Sequence, residues 1–341
     1  MVNNADFIAL KQIVKQHGLL EKQPWFYVGV VALKLGMFAL SMAVLFTVDS
    51  FWAQVANALF LGFVLAQLGF TSHAACHRQC FHQRWQNDLV GIVLGNLLLG
   101  ISRDWWTYKH NVHHAHPNHD GMDPDLDVPV VAFTVEQALS RRGVERLVVM
   151  WQAWAFFPLL TFQGYALRDV SLRYILDGKA RQGRLEGLLL AVNLAWTFAL
   201  PIMALGLWGG LGFALLSQAV FGVYLGSVFA PNHKGMLVVT DDMPIDFLRL
   251  QVLTARNVRA HALTDFWYGG LNYQIEHHLF PSVPMHRLRE LSVLVKAFCA
   301  QRDVAYYETS MVQSYREILS YLHEIGGVLR RPAQASESPG A

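Results

Sequence analysis

Fifteen histidines are present, and most of them fall into three short clusters plus one isolated position. His73-Ala-Ala-Cys-His77 sets two imidazoles four residues apart, so a helix would place both on one face, one turn apart. His110-Asn-Val-His113-His114 repeats that geometry with spacings of three and four. Gln274-Ile-Glu-His277-His278 repeats it again, with glutamine where the second cluster has its first histidine, and Asn232-His233 lies between them. Together these segments offer eight imidazoles: His73, His77, His110, His113, His114, His233, His277 and His278. Imidazole nitrogen suits iron, zinc, copper and nickel, so ligand type alone leaves the metal open. Eight ligands are too many for one tetrahedral zinc. Two ions with about four imidazoles each, keeping positions open for O2 or water, is the economical reading.

Residues beside the clusters carry weaker signals. Asp123, Asp125 and Asp127 alternate around Pro124. They read either as an acidic turn or as acceptors for the second nitrogen of ligating imidazoles, which metal-bound histidine commonly requires. Glu276, inside the third cluster, is a candidate for the same supporting role. His82 lies five residues from His77, about 140 degrees around a helix, which turns it from the shared face. His116 and His119 flank Pro117 and read as solvent-facing or supporting residues, while His17, His261, His286 and His323 stand alone.

The elements that must position these clusters are apolar. Of 341 residues, 53% are hydrophobic and only 15% charged, which is greasier than an ordinary soluble protein of this size. A crossing needs about 20 predominantly apolar residues, and four stretches qualify: 26–48, 51–70, 187–207 and 211–229. Asp49-Ser50 joins the first pair and Trp208-Gly209-Gly210 the second. The expected fold is therefore an all-α integral membrane protein, with four transmembrane helices in two hairpins, interfacial helices and a His-rich cytoplasmic cap. Residues 89–101 are too few to span, and 148–167 contain Gln152, Pro158 and Gln163, so both read as interfacial or re-entrant. Making either one a span would put the second and third clusters on opposite sides of the bilayer.

Charge agrees with that topology. The two inter-helix turns hold no Lys or Arg, whereas 78–184 and 234–331 hold many, which places both termini and the clusters on the cytoplasmic side. Residues 1–25 lack the apolar run and cleavage site of a signal peptide and read as an interfacial segment, with Phe7, Ile8, Leu10, Ile13 and Val14 at helical spacing. Residues 26–330 form one membrane domain, and 331–341, rich in Pro, Ser, Ala and Glu, read as a disordered tail. Cys76, Cys80 and Cys299 are too few for a disulfide framework and fit a reduced setting. A net charge of +2, with no basic block interleaved with aromatics, argues against a nucleic-acid partner. A membrane metal transporter or sensor would hold its ligands at the midplane, inside the spans. Here the spans are almost free of ionisable residues, Lys34 being the main exception.

The boxes HAACH, HNVHH and QIEHH, in this order across a four-span pattern, resemble the three histidine boxes of the membrane fatty-acid desaturase superfamily. The run from Gly269 to Pro281 resembles the front-end acyl desaturases, with Gln274 in place of the first histidine. The resemblance implies a non-haem centre of two Fe held by the eight histidines, with O2 as co-substrate and no further catalytic side chain. Gln274 and Asn232 are weaker candidates beside the ligands. Relatives often carry an acidic residue after the leading histidine of the first box, and here it is Ala74. The implied activity is desaturation of a fatty-acyl chain, presented as a CoA ester or a membrane lipid within the lipid bilayer. Two electrons would come from a ferredoxin or cytochrome b5-type donor with its reductase, since no haem segment or flavin fingerprint is evident in these residues. The implied location is the plasma membrane in a bacterium or the endoplasmic reticulum in a eukaryote. Hydroxylases, ketolases and acetylenases of the same superfamily use similar boxes, and the glutamine form of the third box favours desaturation by resemblance.

Overall fold

The computed structural model describes residues 4–330, and the expected disordered tail at 331–341 lies outside them. Nearly all the regular structure is helical: α1 (Ala5–Gln16), α2 (Pro24–Thr47), α3 (Phe51–Cys76), α4 (Arg84–Gly91), a π-helical segment (Ile92–Leu99) and α5 (Arg103–Ala115). There follow α6 (Val135–Ser140), α7 (Gly143–Met150), α8 (Gln152–Leu160), α9 (Gln163–Leu176) and α10 (Gly183–His233). The chain closes with α11 (Phe247–Leu253), α12 (Ala262–Tyr268), α13 (Gln274–Leu279), α14 (Leu288–Gln301) and α15 (Met311–Gly327). Two-residue strands β1 (Asn257–Val258) and β2 (Glu308–Thr309) pair in parallel.

Among the described residues three helices, α2, α3 and α10, are long and apolar enough to cross a membrane. Pro24 opens α2 in the first turn, where its missing N–H costs nothing. The tight turn into α3 is closed by Gln54, whose side-chain amide donates to the Val44 and Val48 carbonyls at 3.0 and 2.6 Å, serving acceptors that the end of α2 leaves unpaired. Ser41 and Asn57 tie the two helices at 2.7 Å. α3 is the buried member of the pair, while most of α2 is left facing outward.

A straight helix of 51 residues would be about 76 Å long, more than twice the bilayer core. α10 breaks at Gly206, whose φ of 73° and ψ of 173° lie outside the helical region. Beyond the break the chain doubles back: a Cβ built on Gly210 would lie 2.4 Å from the Ile202 Cα. The limbs 183–205 and 207–233 contain nearly all of the third and fourth expected stretches. The break itself falls before Trp208-Gly209-Gly210 and corrects the expected turn. Gly210 serves close approach instead. The second limb packs on α3 with equal intimacy, since a Cβ on Gly62 would stand 2.5 Å from the Ser217 carbonyl oxygen.

Residues 89–101 enter the bundle. The π-helical segment buries Leu94, Leu98 and Leu99 among α3 and α10 and ends on Gly100 at φ 72°. Its free carbonyls at Leu97 and Leu98 accept from Asn193 Nδ2 at 3.1 and 3.0 Å. Residues 148–167 split into parts of α7, α8 and α9, with exposed Trp151, Trp154 and Phe162. A second apolar core joins α1, α11, α13 and α14 through Leu10, Val14, Leu248, Ile275 and Leu291. The inward face of the N-terminal segment is thus committed to protein packing.

Candidate metal centre

α3 continues past the apolar stretch to Cys76, so His73 sits on its last turn and His77 at its cap. α5 begins where Ser102 Oγ accepts the Trp105 N–H at 3.1 Å, and it carries His110, His113 and His114 on its later turns. α10 ends on His233. Gly269 and Gly270, at φ 58° and 86°, turn the chain into α13, which holds Gln274, Glu276, His277 and His278.

These four elements bring all eight histidines together. Ring nitrogens of His73, His77, His110, His114 and His277 lie within 4.8 Å of one another, and those of His113, His233 and His278 form a second group on the same criterion. His114 and His278 join the groups, stacked with ring centroids 4.1 Å apart.

The second group has its protons arranged by its neighbours. His113 Nδ1 is 3.0 Å from both Asp123 oxygens, and His233 Nδ1 is 2.9 Å from the Thr254 carbonyl. Gln251 Nε2 donates to the His114 carbonyl, which leaves its Oε1 to accept from His278 Nδ1 at 2.9 Å. All three Nδ1 atoms are thus donors, and each Nε2 keeps a lone pair for a metal. In the first group, buried His77 Nε2, His114 Nδ1 and both nitrogens of His277 have no hydrogen-bond partner among the described residues. His110 Nε2 faces His73 Nε2 at 2.7 Å and His114 Nε2 at 3.1 Å. One proton cannot serve both contacts, whereas adjacent ligands on a metal with bonds of about 2.1 Å stand about 3.0 Å apart. The donor set fits a late first-row metal and suits Mg or Ca poorly.

Burial, reinforced by neighbouring imidazoles, holds His110, His114, His277 and His278 well below the usual histidine range and takes His77 down to about 3. In the unfolded chain these groups gain protons as pH falls through about 6.5, while in the folded one they stay neutral to much lower values. Metal-free protein should therefore lose thermal stability progressively from about pH 6.5 downward. Melting curves between pH 8 and pH 5 check this, and a flat profile would contradict the neutral cluster.

Asp123 receives backbone N–H groups from Asn118 and Asp125 at 2.7 and 2.8 Å, which fixes it under His113. Burial alone would raise its pKa, but His113 holds it below the usual carboxylate range. Asp125 pairs with Lys109, which with His113 and Lys234 outweighs burial and depresses it strongly. Gln274 faces the second group, with Nε2 3.0 Å from His233 Nε2 and Oε1 accepting from Asn232 Nδ2 at 3.0 Å. Glu276 turns elsewhere, accepting from Asn257 at 2.6 Å and Tyr306 at 2.9 Å, and burial pushes it up to about 7.

His82, His116 and His119 stay outside both groups. His119 Nε2 reaches Asp241 at 3.5 Å. His261 accepts the Leu263 N–H at the start of α12, and His286 packs on Phe26. Sequence reasoning missed Gln251 and Thr254, which sit in a segment without a motif. Only the need of each ligating imidazole for an acceptor could have prompted a search for them. A cavity of about 330 Å³ reaches His110, His113, His233 and Gln274, and apolar side chains make most of its wall.

A helical bundle able to cross a membrane, closed around a buried all-imidazole cage, defines a membrane metalloprotein. The family model for fatty acid desaturases matches residues 50–310, and the chain belongs to that family. It is 30% identical to an acyl-lipid (9-3)-desaturase of Physcomitrium patens, over 94% of this chain and 62% of that relative. It is 31% identical to a Delta(8)-fatty-acid desaturase of Euglena gracilis, over 94% of this chain and 79% of the other. With a Delta(5) fatty acid desaturase of Caenorhabditis elegans it shares 30% identity over 92% and 71% of the two chains.

Proposed function

We propose that this desaturase uses O2 to introduce a double bond into a fatty-acyl chain lying in the 330 Å³ cavity, beside two irons held by the eight histidines. The observation that carries the reading is the pair of adjoining imidazole groups opening on an apolar cavity. Abstracting hydrogen from an unactivated methylene is beyond any side chain, so bound iron would supply the oxidant, with O2 and two donor electrons as co-reactants. The chain itself supplies positions. His73, His77, His110, His114 and His277 would hold one ion, and His113, His233 and His278 would hold the other beside Gln274. Asp123, Thr254 and Gln251 keep the Nδ1 protons of the second group in place. The cavity wall aligns the acyl chain and excludes water, and Lys109, Asp125 and Lys234 offer a polar end for its carbonyl or head group. Relatives named as desaturases favour this product over the hydroxyl, keto or acetylenic ones.

The two limbs of α10 and the hairpin of α2 and α3 make four crossings, with both ends of the chain and the centre in the cytoplasm, where a ferredoxin or cytochrome b5-type donor would dock. Gln83→Cys, Ser140→Cys and Ser320→Cys should all be labelled from the cytoplasmic face, and labelling of one from the opposite face would break the topology. Expression in a host without polyunsaturated lipids, followed by mass spectrometry, should show new acyl species two hydrogens lighter. Purified protein should approach two irons per chain. Oxygenated products, or a single tightly held zinc without iron, would overturn the reading.

A further inference from the structure

The second limb of α10 meets α3 closely at Gly62 and Ser217. Toward the two hairpin turns, the same pair of helices encloses a separate cavity of about 390 Å³, walled mainly by Val55, Ala58, Leu205, Phe213 and Leu216. It lies far from the histidines, since His73 follows Val55 by 18 residues of one helix, about 27 Å along its axis. A pocket of roughly 300–1,000 Å³ can bury a small ligand or a segment of a longer chain. Phe51 and Trp208 stand exposed at its rim, with Trp52 exposed beside them. Aromatic rings so placed mark the level at which the hydrocarbon of a bilayer meets its headgroups.

Polar groups are few there. Gln54 is committed to the carbonyls of α2 through its amide nitrogen and to Asn57 Nδ2, at 3.3 Å, through its Oε1. Asp49 is exposed at the mouth of the cavity and has no hydrogen bond or ion pair among the described residues. No Lys or Arg occurs between Lys34 and Arg78 or between Arg184 and Lys234, so nothing on this end of either hairpin neutralises that carboxylate.

We propose that this cavity holds one membrane phospholipid, its acyl chain lying between the hairpins and the ammonium of its headgroup meeting Asp49. Apolar walls that face a bilayer take up an acyl chain and stay free of water. An unpaired carboxylate at headgroup level attracts an ammonium and repels a headgroup of net negative charge. The lipid fills the space between the hairpins at the end opposite the metal centre, where side chains leave it open. The inference uses the four-crossing arrangement and is independent of the reaction.

Gly212 lines the cavity, and a Cβ built on it meets nothing within 4 Å, so Gly212→Leu should fill the space without displacing protein. The parent chain, Gly212→Leu and Asp49→Asn are placed in nanodiscs of equal parts dioleoyl phosphatidylethanolamine and dioleoyl phosphatidylglycerol. Each is then released into mild detergent and weighed with its bound lipid by native mass spectrometry. The parent should keep one phospholipid and favour the ethanolamine form about five-fold, the scale of a single exposed ion pair. Gly212→Leu should lose most of that lipid. Asp49→Asn leaves the walls intact, so it should keep the lipid and lose the preference. Equal retention by the parent and a folded Gly212→Leu overturns the cavity as the site. If Gly212→Leu does not fold, Asp49→Asn decides alone, and a headgroup ratio that it leaves unmoved overturns the proposal. A parent free of lipid overturns it as well, whether the chain is single or paired with a second copy across the cavity.

Discussion

A His277→Ala variant should keep its helices, lose detectable desaturation and release much of its metal. His277 is almost fully buried, has no hydrogen-bond partner on either ring nitrogen among the described residues, and its ring nitrogen lies within 4.8 Å of those of four other imidazoles, the placement expected of a ligand. Loss of an outer partner of a ligand typically costs about 10–100-fold in affinity or activity, and removal of the ligand itself should cost more. His323→Ala is the comparison, since that histidine stands apart from both groups and should stay within a few-fold of the parent. Activity and iron per chain, measured on the same preparations, decide the matter. A fully active, iron-replete His277→Ala would defeat the assignment of all three boxes. Gln274→His adds an imidazole where the amide now meets His233, so iron should stay bound while rate or bond position changes.

The second large effect is expected at Arg256, far from any box. This side chain is 1% exposed and donates to the Glu317 carboxylate and to the Lys234 carbonyl, while its backbone N–H reaches the Asn232 carbonyl at 2.9 Å. It therefore ties the segment carrying His233 to α15. Breaking a buried ion pair from one side costs about 3–5 kcal/mol, with the lower figure apt here because Glu317 is partly exposed. Arg256→Ala should melt several degrees lower in detergent and lose iron first from the group containing His233. Glu317→Gln should do less, since it keeps an acceptor. An unchanged melting temperature with full iron would mean that Asn118, Thr254 and Gln274 hold His233 without the Arg256 tie.

The gathering of the eight histidines was legible in the sequence because most of them sit at helical spacings, and helix geometry carries spacing directly into space. The same logic found Asp123, an acceptor close in sequence to the imidazole it serves. It could not find Gln251 and Thr254, which reach their histidines across 27 and 21 residues of chain. The apolar stretches located α2 and α3 within a few residues at their starts. The first box then extended α3 beyond its apolar run, because buried polar side chains continue the helix inside protein. The turn in α10 was misplaced since Gly206, Gly209 and Gly210 can all adopt a positive φ, and only packing decides which one does. Glu276 read as a partner of its neighbouring histidines, yet its side chain leaves the other side of α13 toward Asn257 and Tyr306.

The candidate ligands are spread along the chain from His73 on α3 to His278 on α13, and this order has a consequence for biogenesis. During synthesis the first two boxes and both limbs of α10 leave the ribosome before the last pair of imidazoles exists. The hydrophobic helices must therefore be inserted while the cage is still open. On the proposed reading, a metal would be enclosed only once α13 has brought His277 and His278 to the other six histidines.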